Sequence, residues 1–277
     1  MTLELMRDAV RETGWWLLDA GSEQSFVDVA DPLHLEFEYV QMMAYVLETA
    51  FADDRPLRAL HLGGGLLTVP RWIASTHPGS RQRVAELSEE VAQFAASLGT
   101  PTGVRVVIGD ALTVLKRARR SSMDLVVSDV YEGPETVTSV FTMDAVQAAA
   151  DRLTSDGLYL CNLSDAAPFA MSKVVLAAVR RAFAHCVLLA EPPVFRGRRS
   201  GNLVIAASDG ELDVPRLNRR ASGGPIRARV VAGQDLESFI GAAEPAACDA
   251  DIPASGESVT PPPVPLVRTG RPGRGRR

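Results

Sequence analysis

The chain has 277 residues, 46% of them hydrophobic, enough for one large α/β core with a small annex. Its 29 Lys and Arg against 34 Asp and Glu leave a net charge of −5, which offers no global attraction to nucleic acid or to an anionic membrane. No run approaches the roughly 20 apolar residues of a membrane span, and the opening MTLELMRDAVRETG lacks the basic start and apolar middle of a signal peptide, so a cytoplasmic location is expected.

In chain order, the first residues read as a short helix. Residues 15–37 carry β-type side chains interrupted by Gly21 and by Asp31-Pro32, which predicts a strand, a turn and a second strand. EFEYVQMMAYVLETAF then places Phe37, Val40, Met43, Ala44 and Leu47 at helical spacing. Residues 1–50 are thus expected to form an annex of helix and β-hairpin. From Leu57 the pattern changes to short apolar strands, RALHL, RQRVAEL, VRVVIG, MDLVVSDV, GLYLCNL, CVLLAEP and NLVIAAS. The helical segments TVPRWIASTH, SEEVAQFAASLG, TMDAVQAAADRL and APFAMSKVVLAAVRRAFA lie between them. That alternation predicts an α/β fold with a mainly parallel sheet covered on both faces and an antiparallel edge, spanning residues 51–243. Beyond Ser208 the patterning weakens, although ARVVAGQDLESFIGAA suggests one more strand and a short helix. Residues 244–277 are rich in Pro, Gly and Arg and are expected to be a disordered tail.

The residues that carry chemistry fall at strand ends. LHLGGGLLT puts Gly63, Gly64 and Gly65 after the first strand of the alternating region, where missing side chains let the backbone approach a ligand closely. The pattern is not G-x-G-x-x-G, so a nucleoside without a pyrophosphate fits better than a dinucleotide. Glu86 ends the second strand a little over twenty residues later, a place from which a carboxylate accepts from ribose hydroxyls. Asp110 follows the third strand and can accept from an exocyclic amine or cap the next helix. Asp129 and Glu132, in SDVYEGPE, follow the fourth strand, above the crevice where open α/β sheets bind ligands. Cys161, Cys186 and Cys248 are an odd number without metal-ligand spacing, and His34, His61, His77 and His185 are scattered, so neither a disulfide framework nor a metal site is expected. Serine hydrolase and phosphate-loop signatures are absent.

In this order LGGGLL, AELS, GDA and DVYE resemble the motifs of class I S-adenosylmethionine-dependent transferases, and specifically those of the polyamine aminopropyltransferases, the spermidine synthase family. EFEYVQMM upstream is similar to that family's E-F-x-Y-H-E-M segment. The resemblance implies a Rossmann-like fold with a seven-stranded sheet after a small N-terminal β-hairpin region. It further implies transfer of an aminopropyl group from decarboxylated S-adenosylmethionine to a polyamine such as putrescine, releasing methylthioadenosine. By the same resemblance Asp129 is the catalytic base, Glu132 and Tyr39 bind the amine, and Gly63, Gly64, Gly65, Glu86, Asp110 and Ala111 hold the adenosyl group. A homodimer stays open.

The chain departs from the family pattern at several positions. Leu66 stands where the family has an Asp that holds the decarboxylated donor's ammonium, and Ser88, Ala111, Val40 and Gln41 replace other motif residues. The loop EPPVFRGRRSGN, with Arg196, Arg198 and Arg199, replaces an aromatic-rich substrate loop. Two further readings therefore stand beside aminopropyl transfer: an S-adenosylmethionine-dependent methyltransferase, which Leu66 permits, and a catalytically silent adenosyl-binding homologue.

Overall fold

The computed structural model describes residues 2–132 and 135–256. The first segment is a strand, Leu3–Arg7 (β1), where a short helix was expected: Leu3 and Leu5 alternate with exposed Glu4 and Met6, the two-residue period of a half-buried strand. It pairs antiparallel with Gly14–Asp19 (β2), which pairs with Ser22–Asp28 (β3), so the annex is a three-stranded sheet in place of a hairpin. Ala20 and Gly21, both at positive φ, make the tight turn between β2 and β3, the turn geometry that suits the twist of paired strands. Glu38–Ala50 (α1) follows and buries Val40, Met43, Ala44 and Leu47, the face its spacing predicts.

Strands and helices then alternate: Arg58–Leu62 (β4), Thr68–Thr76 (α2), Arg81–Glu86 (β5), Glu89–Ser97 (α3), Val104–Ile108 (β6), Ala111–Arg117 (α4) and Met123–Ser128 (β7). The short strands Tyr131–Glu132 (β8) and Glu135–Thr136 (β9) pair with each other. Met143–Arg152 (α5), Leu153–Asp165 (β10), Ala170–Ala182 (α6), His185–Ala190 (β11), Pro192–Phe195 (α7), Gly201–Ser208 (β12), Val214–Gly223 (α8), Arg229–Ala232 (β13) and Gly233–Ile240 (α9) complete the order.

The central sheet has the strand order β13-β11-β12-β10-β7-β4-β5-β6. β10, β7, β4, β5 and β6 are parallel, β12 runs antiparallel between β10 and β11, and β13 adds an antiparallel edge. The segment RVVA supplies that eighth strand, one more than the seven expected. α4, α5, α6 and α9 cover one face over Leu60, Val126 and Tyr159, while α1, α2 and α8 cover the other over Ala59, Leu125 and Leu160. Burial on both faces is why β4, β7 and β10 read as near-continuous apolar runs.

Chain direction across the sheet reverses at β4. From β4 the chain passes through α2 to β5 and β6 on one side, and α4 returns it to β7 on the other. A crevice opens at such a reversal, here between the carboxyl ends of β4 and β7.

Within residues 244–256, part of the tail expected from 244, the chain is attached to the domain at a few points. Ala246 and Ile252 are buried in the larger core cluster, the Ala246 carbonyl accepts from Met143 N at 2.9 Å, and Gly256 N donates to buried Asp165 at 3.0 Å. Two apolar side chains find a site on the domain despite their Pro- and Gly-rich surroundings. The rest of the expected tail, residues 257–277, lies outside the described residues. Among the described residues no helix is long and apolar enough to cross a membrane.

Candidate active site

The glycines after β4 are demanded first by the protein itself. Gly63 has φ +92°, and a Cβ there would stand 2.0 Å from the Asp129 carbonyl oxygen, so the loop passes against the chain leaving β7. Asp129 N donates to Leu62 O at 2.9 Å and fixes that approach. A Cβ on Gly64 would meet Val84 Cγ1 at 3.0 Å and Glu86 Oε2 at 3.1 Å. Gly64 N donates to the same Glu86 Oε2 at 3.1 Å, and Ser88 N donates to Glu86 Oε1 at 2.9 Å. Glu86 thus braces the loop, and each carboxylate oxygen retains acceptor capacity, since a carboxylate has about four lone-pair sites.

Asp110 caps α4: its Oδ1 accepts from Thr113 N at 2.7 Å, and hydrogen bonds from Thr113 hold its carboxyl below the ordinary range. Ala111 is the buried first residue of α4. Gly109 N, just before Asp110, donates to Glu86 O at 2.9 Å, so the two acids lie on neighbouring strand ends. Leu87 and Ile108, at those same ends of β5 and β6, are 70% and 51% exposed, large apolar side chains held in solvent beside polar acceptors.

Across the crevice, half-buried Asp129 accepts two side-chain hydrogen bonds. Tyr39 OH of α1 donates to Oδ2 at 3.1 Å, and Asn162 Nδ2 of β10 donates to Oδ1 at 3.1 Å. Burial raises the Asp129 pKa from 3.8 to about 6, against the opposing pull of the Asn162 and Tyr39 hydrogen bonds. Burial and the Asp129 charge together hold the Tyr39 phenol well above its ordinary pKa, as a donor. Asn162 Nδ2 also reaches Tyr131 OH at 2.9 Å, while its Oδ1 is buried with no hydrogen-bond partner. Such an orphaned acceptor marks a place where a donor can bind.

The structure therefore brings Tyr39 to Asp129 and places Asp129 over Gly63, with Glu86 and Asp110 further along the same edge. Glu132 lies in β8, and its side chain is outside the described residues. Asn162 and Tyr131 were not singled out from the sequence. Asn162 had a signal, the one strongly polar side chain in GLYLCNL, whereas Tyr131 sat unassigned inside the DVYE motif.

Leu66 is a core residue. It is 0% exposed and packs with Leu17, Val27 and Val91 under the N-terminal sheet. Arg196, Arg198 and Arg199 are exposed after α7, with Arg199 paired to Glu191 and Arg196 Nε on Pro192 O at 3.1 Å. Among the described residues no group of three or more His, Cys, Asp or Glu side chains is placed to hold a metal ion.

No protein-family model matches the chain. A human methyltransferase-like protein 13, solved in complex with SAH, superposes with TM-score 0.53 at 19% identity, over 73% of this chain and 89% of that one. The fold is thus that of the S-adenosylmethionine-dependent methyltransferases, a mainly parallel sheet between helices with a small antiparallel sheet before it. A probable spermidine synthase from Corynebacterium glutamicum matches with TM-score 0.81 and 28% identity over 94% of this chain and 95% of that one. A polyamine aminopropyltransferase from Vibrio vulnificus is 27% identical over 131 residues, 46% of this chain and 43% of that protein, so the chain spans less than half of this relative's length. Within the fold class, the chain is most usefully compared with these two proteins, to which it is similar at 28% and 27% identity.

Proposed function

We propose that the chain is an aminopropyltransferase that joins the aminopropyl group of decarboxylated S-adenosylmethionine to a polyamine such as putrescine. The observation that carries this reading is Asp129, a carboxyl raised to about 6 at the switch-point crevice beside the unpartnered Asn162 Oδ1. A carboxylate acceptor at that place suits an amine nitrogen, which is rich in donors. Its resemblance to the aminopropyltransferases and the 28% identity to a probable spermidine synthase support the same conclusion.

In the proposed reaction the acceptor amine is held by Asp129 and attacks, as the neutral base, the methylene carbon next to the donor's sulfonium. A carbon–nitrogen bond forms, the carbon–sulfur bond breaks with its electron pair going to sulfur, and methylthioadenosine leaves. The nitrogen's surplus proton passes to the Asp129 carboxylate, whose raised pKa makes it a better acceptor than an ordinary Asp. Tyr39 and Asn162 orient that carboxylate through their hydrogen bonds. On the donor side, the Gly63-Gly64-Gly65 backbone, bare of side chains, lines the approach, Glu86 has capacity for the ribose hydroxyls and Asp110 for the adenine amine. Exposed Leu87 and Ile108 supply apolar surface for the base. Glu132 is assigned to the amine's second charge from the resemblance alone.

Methyl transfer from ordinary S-adenosylmethionine is the second reading, favoured by one observation: the buried Leu66 contributes no charge that would repel a methionine carboxylate. Incubation with putrescine and each donor in turn, with the product mass determined, separates the two. An aminopropylated amine made only from the decarboxylated donor supports the first reading; a methylated amine made only from the ordinary donor replaces it with the second.

A further inference from the structure

Leu66 is held at every part. Its side chain is sealed among Leu17, Val27 and Val91. Its N–H donates to Ser25 Oγ on β3 at 3.1 Å. Its C=O accepts from Arg71 Nε on α2 at 3.1 Å. Arg71 is itself unusual: only 7% exposed, it has no carboxylate partner among the described residues, and burial pulls its pKa down. Its Nη2 instead donates to Gly99 O at 2.6 Å and approaches the Ala95 and Leu98 carbonyls at 3.5 Å, past the end of α3. A guanidinium can stay charged there because those carbonyls carry the negative end of the helix dipole. The same ring of contacts presses on the glycines: a Cβ at Gly65, which has φ +47°, would come within 2.9 Å of Ser25 Oγ. Thr68 Oγ1, opening α2, adds a hydrogen bond to Phe26 O at 2.6 Å.

Ser25 and Arg71 both grip the residue that follows the three glycines, one from the N-terminal sheet and one from the helix layer. We propose that Ser25 and Arg71 are positioning residues that clamp Leu66 and so preset the Gly63-Gly64-Gly65 backbone for the nucleoside half of the donor. This inference rests on the adenosyl site described above. It gives the annex a part in donor binding: the annex orders the loop, and a nucleoside meets a backbone surface already in place, with no further ordering cost. Leu66 is then a peg in the clamp, which accounts for an apolar side chain in a loop otherwise built for ligand approach.

The test combines calorimetric binding of methylthioadenosine with hydrogen exchange of the ligand-free protein, for the wild type, Ser25→Ala and Arg71→Lys. Ser25→Ala removes one exposed-edge acceptor, and Arg71→Lys keeps the charge while losing the fork that spans Leu66 O and Gly99 O. Both variants are expected to bind methylthioadenosine on the order of ten-fold more weakly, the scale of one lost hydrogen bond. Amide exchange should rise across residues 64–68 while β4 and β7 stay protected. Wild-type affinity together with wild-type loop exchange in a folded Ser25→Ala protein overturns the clamp. If the wild type binds no methylthioadenosine, the adenosyl reading is what fails, and loop exchange alone decides: faster exchange in Ser25→Ala upholds the clamp on Leu66, unchanged exchange removes it.

Discussion

Asp129 keeps its proton to about pH 6 because burial outweighs the hydrogen bonds from Asn162 and Tyr39. As the base it must be ionised, so transfer is expected to gain a rising limb as pH passes about 6, separate from the rise at higher pH as the acceptor amine loses its proton, and a pH–rate profile under limiting acceptor will show it. For stability the sign is opposite. Between 3.8 and about 6 the folded state holds a proton that the unfolded chain has lost, so this group's contribution falls as pH rises through that window. His61, buried against Gln82 and lowered from 6.5 to about 4, works the other way, its contribution growing with pH between those values. Leu66 shows how far a motif position can mislead. Read along the sequence, it is a missing acid in a ligand loop; in the structure it is core. Leu66→Asp should therefore leave donor choice unchanged and cost at least about 3 kcal/mol of stability, since it buries a carboxylate without a partner. Urea unfolding measures this, and a folded variant of wild-type stability that newly prefers the decarboxylated donor would refute it. Asp129, Glu86 and the glycines were legible because each ends an apolar run; Asn162 was not, because its role depends on which strand lies beside β7.

At the level of elements, the seven long strands and the helices α2, α3, α5 and α6 between residues 57 and 208 were legible because burial on both faces writes continuous apolar runs, cut by Gly, Asp and Pro, whereas the short β8, β9 and α7 carry too few residues to show a period. β1 escaped because its alternation covers only five residues, Leu3 to Arg7, and its pairing with Asp19 to Trp15 is not written in that short pattern. The docking of residues 244–256 escaped for the opposite reason: composition speaks of loops, while two side chains, Ala246 and Ile252, carry the attachment. This segment reaches the approach to α5, where Thr138 Oγ1 contacts Asp249, and β10, where Gly256 N meets Asp165. Deleting everything from 244 onward should lower stability by about 2 kcal/mol or more, the worth of one buried Ile with its hydrogen bonds. Chemical denaturation of the shortened chain gives the number, and a curve superimposable on that of the full chain would show the segment to be dispensable.

Across the whole molecule, three layers meet near the β4–β7 reversal: the N-terminal sheet holds Leu66 after the glycine loop, β5 and β6 end at Glu86 and Asp110, and β7 with β10 and α1 holds the Asp129 carboxyl. The proposed reaction puts donor recognition on one side of that reversal and acceptor recognition on the other. Changing Asp129 should stop chemistry and spare nucleoside binding. The most direct measurement is the rate of methylthioadenosine release from decarboxylated S-adenosylmethionine and putrescine, for wild type and Asp129→Asn, alongside the affinity of each for methylthioadenosine. The expected result is turnover by the wild type, a fall of at least about 10²-fold in the variant, and affinity within about two-fold. Full turnover by Asp129→Asn, or none by a wild type that binds methylthioadenosine tightly, would contradict an aminopropyl transfer driven by this carboxylate.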